Sequence, residues 1–217
     1  MTTRIPRGFL SQIIPTFEYL RESMQQLAWK LTVFRDTFLN QENRAVLLDR
    51  TEAVFLLFEE SLSTDITISI ARLMDPVKTG SKENLTLWYL FELIREFGNA
   101  PDLLSTIEAR YQALDHILKP ISELRNKVLA HCDRPTALTT PLALTLTAQD
   151  IVHVCKEFKG IVNDIDGYFA ESQTLFDFQV CFSNIDTLVK YLQRGIQGVD
   201  QDNERELQKC FSKPNPG

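Results

Sequence analysis

Between Pro15 and Pro76 the chain contains neither glycine nor proline. A run that long without a backbone breaker cannot be cut into the short strands and tight turns of a sandwich or barrel, so it favours long helices. The apolar residues within it agree. Leu20, Leu27, Leu31, Phe34 and Phe38 recur at helical spacings, which predicts a helix from about Pro15 to Asn40. Leu47, Val54, Phe58, Leu62, Ile66, Ile70 and Leu73 form a second stripe, which predicts a longer helix from about Asn43 to Met74. Inside it, "DITISIA" alternates as a strand would, and Ile66, Ile68 and Ile70 taken alone fit either period. The stripe continuing through Leu62 and Leu73 favours helix.

Beyond Pro76 the punctuation becomes denser. "DPVKTGSKE" (75–83) reads as a loop broken by Pro76 and Gly80. Asn84 is a candidate cap for a third helix to about Phe97. A fourth helix is expected from near Asp102 to about Lys119, with Pro120 removing one backbone hydrogen bond and kinking or restarting it. Residues 133–147, "DRPTALTTPLALTLT", fit an extended segment or small ribbon. Thr147 followed by Asp150 fits a capping arrangement for a helix to about Phe169. A last helix is expected over Phe182 to Gln197. The whole predicts an all-α bundle of five to six helices in one domain over residues 1–198, followed by a polar, flexible tail over 199–217.

Charge narrows the function classes. With 23 Lys and Arg against 29 Asp and Glu, the formal net charge is −6, so the molecule as a whole repels nucleic acid. That excludes a generic nucleic-acid coat and leaves room for a local basic patch. The four cysteines, at 132, 155, 181 and 210, form no CxxC pair and read as reduced packing thiols of a cytoplasmic protein. The apolar run after Arg4 and Arg7 is broken by Ser11, Gln12 and Pro15. Neither a secretory signal nor a membrane span is expected. The sequence suggests no cofactor and no metal site.

The stretch "ELRNKVLAHCDRP" (123–135) asks for an explanation. At about 100° per residue, Leu124, Val128 and His131 lie on one side of a helix. His131 then reads as a satisfied histidine on an apolar stripe, with Arg125 and Lys127 as solvated charges. As a single site the pair has a geometric difficulty. Residues six apart are separated by about 120° around a helix and about 9 Å along it, so Arg125 and His131 do not share a face. A twofold dimer would supply the second copy that brings such residues together.

Arg125, five residues, then His131 is similar to the arginine–histidine motif of HEPN domains. The fuller "RNKVLAHCD" resembles the abortive-infection U-type (AbiU-like) branch, as do "ISIARLMDP" (68–76) and "KENLTLWYL" after it. The resemblance covers most of residues 10 to 195. It implies an all-α homodimer acting as a metal-independent endoribonuclease in phage defence or as the toxin of a toxin–antitoxin pair, with RNA as substrate and an antitoxin or second defence protein as partner. Some members of the superfamily bind ligands without cutting. A silent module binding a nucleotide or a protein, or a plain helical dimerisation protein, is therefore the alternative.

If the site cuts, histidine can move protons near neutral pH and arginine offers a planar fork matched to phosphate oxygens. His131 and Arg125 are the expected catalytic pair. Asn126 would position a phosphate or the histidine, or simply cap the helix end. Asp133 would orient His131 or pair with Arg125, or make an Asx turn before Pro135. Lys127 adds positive charge. From Lys119 to Arg134 there are four basic residues against two acidic ones, a patch suited to one docked strand. Arg72 reads either as a helix-end cation paired with Asp75 or as a support beside the Arg125–His131 cleft. His116 and His153 have no metal-like spacing. Trp88, Tyr89 and Phe91 read as packing residues.

Overall fold

A computed structural model describes residues 7–125, 147–169 and 182–211, with seven α-helices and one very small sheet among them. The helices are α1 (Arg7–Phe34), α2 (Gln41–Leu73), α3 (Leu87–Leu93), α4 (Pro101–Ala113), α5 (Asp115–Leu124), α6 (Ala148–Phe169) and α7 (Phe182–Phe211). Wide π turns follow α1 (Arg35–Leu39) and α3 (Ile94–Gly98). The sheet is an antiparallel hairpin of β1 (Lys78–Thr79) and β2 (Lys82–Glu83). The all-α expectation holds, and "DITISIA" is helical throughout.

The chain divides into two compact units. The first comprises Met1–Leu31 and Ser63–Phe178. Its core takes Leu20 and Leu27 of α1 and Ile66 and Ile70 of α2 from the stripes that the sequence displays, and adds Ile13 and Met24 of α1; all are fully buried or nearly so. Leu87, Leu90 and Phe91 of α3 and Ile107 of α4 join them. Each such side chain stabilises the fold by roughly 1.5–3 kcal/mol relative to exposure. Helix α4 packs along α6, where Tyr111 stacks on Phe158 with ring centroids 6.0 Å apart and planes inclined by 6°. Trp88 and Phe91 meet Tyr111 edge-on, at 5.0 and 6.0 Å, so the aromatic segment after the hairpin packs the core as expected.

The second unit comprises Thr32–Leu62 and Gln179–Gly217. Phe38 is buried there between Phe34 and Phe58, with centroids 5.6 and 5.9 Å away. Asn40 caps α2, its Oδ1 accepting from the backbone N–H groups of Glu42 (3.0 Å) and Asn43 (3.2 Å). Asn43 in turn donates to the Asp36 carbonyl at 2.7 Å, which ties the cap to the preceding π turn.

Four boundaries differ from the sequence reading. Helix α1 starts at Arg7 and carries Pro15 inside it. The third helix is capped by Thr86, whose Oγ1 accepts from Tyr89 N–H at 3.2 Å, and not by Asn84. Asn84 instead closes the hairpin, donating through Nδ2 to the Pro76 carbonyl and to Thr79 Oγ1, both at 2.7 Å. The break in the fourth helical stretch falls at Leu114, and α5 runs through Pro120. A buried Leu114 and the burial of Ile117, Leu118, Ile121 and Leu124 fix the register of α5, and this outweighs the one hydrogen bond that proline forfeits. The last helix continues through Gly198 to Phe211, because "DNERELQK" is rich in good helix formers and carries an Asp202–Arg205 pair at 3.3 Å. The segment 133–146, expected to be extended, lies outside the described residues.

Candidate functional site

Helix α5 ends where its apolar face runs out. Leu124 is buried, and Arg125 follows it as the helix C-cap, still in right-handed helical geometry, with its side chain 22% exposed. The guanidinium Nη1 donates to Asp75 Oδ1, forming a half-buried ion pair across fifty residues of sequence. Asp75 is held on its own side by the chain reversal after α2. Its N–H bonds back to the Arg72 carbonyl, Pro76 follows, and the hairpin turns at Gly80, which sits at φ +62° in the region that favours glycine. Asn84 N–H then bonds the Val77 carbonyl at 2.8 Å, which closes the loop carrying Asp75.

Two of the three segments that resemble one family are thus brought together in space. "IARLMDP" supplies the carboxylate and "ELRNK" the guanidinium. Tyr111 lies close enough to Asp75 to feel its charge. Its burial, with the negative charges of Asp115 and Asp75, raises the phenol well above its ordinary range, against the opposing effect of a hydrogen bond with Trp88. Tyr111 therefore stays neutral and packs against Trp88, Phe91 and Phe158. Periodicity could have flagged it as core, but nothing in the sequence ties it to Asp75.

Arg72 does not take the local partner that sequence proximity offered, because Asp75 is committed to Arg125. Arg72 is exposed and lines a polar cleft between α1 and α2. His116 and His153 are exposed, and both lie close enough to Asp150 to lower its pKa slightly, behind the larger effects of its hydrogen bonds with Thr147. Among the described residues no group of three His, Cys, Asp or Glu side chains is placed to hold a metal ion. Cys155 is buried in α6, and burial pushes its thiol up to about 12, which fits a packing thiol. Asn126, Lys127, His131 and Asp133 lie outside the described residues.

A helical chain whose ARL…DP segment holds the arginine of an Arg–x5–His motif has the features expected of a HEPN domain. The model of the AbiU2 family of HEPN domains matches residues 10–185, and the chain belongs to that family. It is an abortive-infection-related HEPN domain. No curated protein and no solved structure matches it significantly. No helix among the described residues is long and apolar enough to cross a membrane.

Proposed function

We propose that this chain is a HEPN-type endoribonuclease acting as a toxin or phage-defence effector in the cytoplasm, with Arg125 and His131 as its catalytic pair. The observation that supports this most is the anchoring of Arg125 by Asp75. A guanidinium on a flexible stem gains little from proximity to phosphate unless its direction is fixed, and a half-buried carboxylate fixes it. In the reaction, the 2′-hydroxyl oxygen of RNA attacks the adjacent phosphorus as a base removes its proton. The bond to the 5′-oxygen breaks, and an acid protonates that oxygen. Products are a 2′,3′-cyclic phosphate and a 5′-hydroxyl. His131 fills the proton-transfer roles, shared between two copies in a homodimer, and Arg125 stabilises the charge on the phosphorane. Asn126 and Asp133 support the histidine, and Lys127 adds to strand attraction. An antitoxin or partner defence protein would restrain the activity.

The same ion pair also favours a second reading. An arginine satisfied by a carboxylate can be purely structural, and a net charge of −6 suits an acidic regulator. The chain would then be a silent module that binds a nucleotide or a protein.

The test compares wild type with His131→Ala on a mixed RNA, each checked for folding, with product ends analysed. The nuclease reading expects cyclic phosphate ends from wild type alone, no cleavage where the attacking sugar is 2′-deoxyribose, and no effect of EDTA, since the proposed chemistry needs no metal. Equal cleavage by both proteins would refute the assignment of His131. Cleavage by neither, with normal growth on overexpression, would favour the silent module.

A further inference from the structure

One cavity of the first unit is left unexplained by either reading. It lies between α1 and α2, with a volume of about 130 Å³, several times what one water molecule requires. Its α1 wall is Tyr19, Ser23, Gln26 and Lys30, spaced by four, three and four residues and so on one helical face. Its α2 wall includes Ser69 and Arg72, one turn apart. The lining is therefore dominated by hydrogen-bond donors. Leu73 and Leu85 complete the lining, and Tyr19, Gln26 and Arg72 are exposed, so the cleft opens to solvent beside the buried apolar row of Leu20, Met24, Leu27, Ile66 and Ile70.

The charges at the cleft do not cancel. Lys30 is paired with Asp65 at 2.7 Å and donates to Ser69 Oγ at 3.1 Å. Among the described residues, Arg72 makes no ion pair. Two cations thus face the cleft against one carboxylate, in a protein whose net charge is −6. A positive cleft on an acidic molecule, lined by hydroxyls and an amide and floored by one fixed lysine, has the donor set of an oxyanion site. Three residues beyond Arg72 stands Asp75, which holds Arg125, so both guanidiniums belong to the same end of α2.

We propose that the cleft formed by Ser23, Gln26 and Lys30 of α1 with Ser69 and Arg72 of α2 is a phosphoryl-binding subsite, separate from the Arg125–Asp75 pair, that takes one backbone phosphate of a bound single-stranded RNA. Arg72 supplies the direct contact through its fork. Lys30, held by Asp65, supplies fixed field, and Ser23 and Gln26 donate to the remaining oxygens. A free phosphate or nucleotide presents the same group. The phosphoryl site itself is independent of the cleavage proposal, and only its assignment to an RNA strand rests on that reading.

The experiment uses the full chain with a non-cleavable 2′-O-methyl oligonucleotide, and in parallel inorganic phosphate and a nucleoside monophosphate, against wild type, Arg72→Gln and Arg72→Lys. Arg72 is exposed, so both variants should keep the wild-type unfolding curve. The expected result is that Arg72→Gln weakens oligonucleotide binding roughly tenfold, with partial recovery in Arg72→Lys. The slope of log affinity against log salt should fall by about 0.7, the value for one lost phosphate contact on a single strand. A purely structural role for Arg72 would leave that slope alone. Arg72-dependent binding of phosphate or the monophosphate, with oligonucleotide binding unchanged, would keep the subsite and overturn its assignment to RNA. Identical affinities and slopes for all three proteins with every probe, or no binding of any probe, would overturn the subsite. Arg72-dependent oligonucleotide binding in a chain that cuts no RNA would retain the subsite while refuting the nuclease.

Discussion

Arg125 and Asp75 are separated by fifty residues in sequence and joined by an ion pair whose side chains are only 22% and 24% exposed. One partner ends α5 and the other follows α2, so the pair ties a helix end to the mouth of the hairpin loop. An ion pair at this depth is less screened than a surface pair, yet both charges have given up part of their hydration. Its value therefore lies as much in fixing the direction of the guanidinium as in stability.

Replacement of Asp75 should separate those two contributions. Asp75→Ala leaves Arg125 without its carboxylate and should cost roughly 1–2 kcal/mol of stability, between the values for exposed and fully buried pairs. If Arg125 serves cleavage, activity should fall by much more than the population of unfolded protein accounts for. Denaturant unfolding and RNA cleavage measured on the same samples provide the check. An activity loss no larger than the loss of folded protein would return the pair to a purely structural role.

The two polar residues before α3 should respond differently to truncation. Thr86→Ala removes the N-cap and should cost about 1 kcal/mol. Asn84→Ala removes the bonds to Pro76 and Thr79 that close the hairpin, leaves α3 capped, and should act chiefly on the loop that carries Asp75. Hydrogen exchange can distinguish them: faster exchange at Tyr89 N–H is expected for the first variant and not for the second.

These residues also show how far sequence reading reaches. Leu20 and Leu27 of α1 and Leu47, Ile66, Ile70 and Leu73 of α2 were legible because burial imposes a period on the chain, whereas Val54 and Phe58 keep that period and are exposed; the Thr147–Asp150 cap was legible because it is local. Asn84 and Thr86 could not be ranked by local chemistry, since both are good caps and the choice depends on where the hairpin closes. Pro120 suggested a break that occurs instead at Leu114, where burial sets the register. The Arg125–Asp75 pair spans fifty residues and leaves no periodic trace. Arg72 stood nearer to Asp75 in sequence and was the natural local partner. Only tertiary packing assigns that carboxylate to Arg125 and leaves Arg72 to the cleft.

The capping box of α6 makes a pH-dependent contribution of known sign. Asp150 accepts from Thr147 N–H at 2.8 Å and from Thr147 Oγ1–H at 2.9 Å, and these bonds hold its carboxyl below the ordinary value of 3.8. A carboxyl depressed in the folded state contributes stability that is fully present above its unfolded pKa and is lost as pH falls through its folded pKa. The stability difference between wild type and Asp150→Asn should be constant at neutral pH and shrink once pH drops below about 4. Chemical unfolding at pH 7 and at stepped values down to pH 2.5 tests this. A difference that stays level across the range would mean that Asp150 is not depressed.

Arg110 and Gly160 make the sharpest prediction for the fold. A Cβ built on Gly160 would lie 2.1 Å from Arg110 Nη1, so the guanidinium occupies the space that an alanine methyl would need. From there Arg110 pairs with Glu157 at 3.3 Å and, through Nε, with Asp164 at 3.2 Å. In Gly160→Ala the arginine must swing away. Alanine is worth up to about 1 kcal/mol over glycine within a helix. Against this stand two weakened ion pairs and a buried Asp164 oxygen that loses its nearby cation. The net effect should be destabilisation of about 1 kcal/mol. With Arg110→Ala already in place the obstacle is gone, only the helix term remains, and Gly160→Ala should stabilise by roughly 0.5–1 kcal/mol. A double-mutant cycle from urea unfolding reads the sign in both backgrounds. The same sign in both would mean that Arg110 does not rest on Gly160, and the packing of α4 on α6 would need a different explanation.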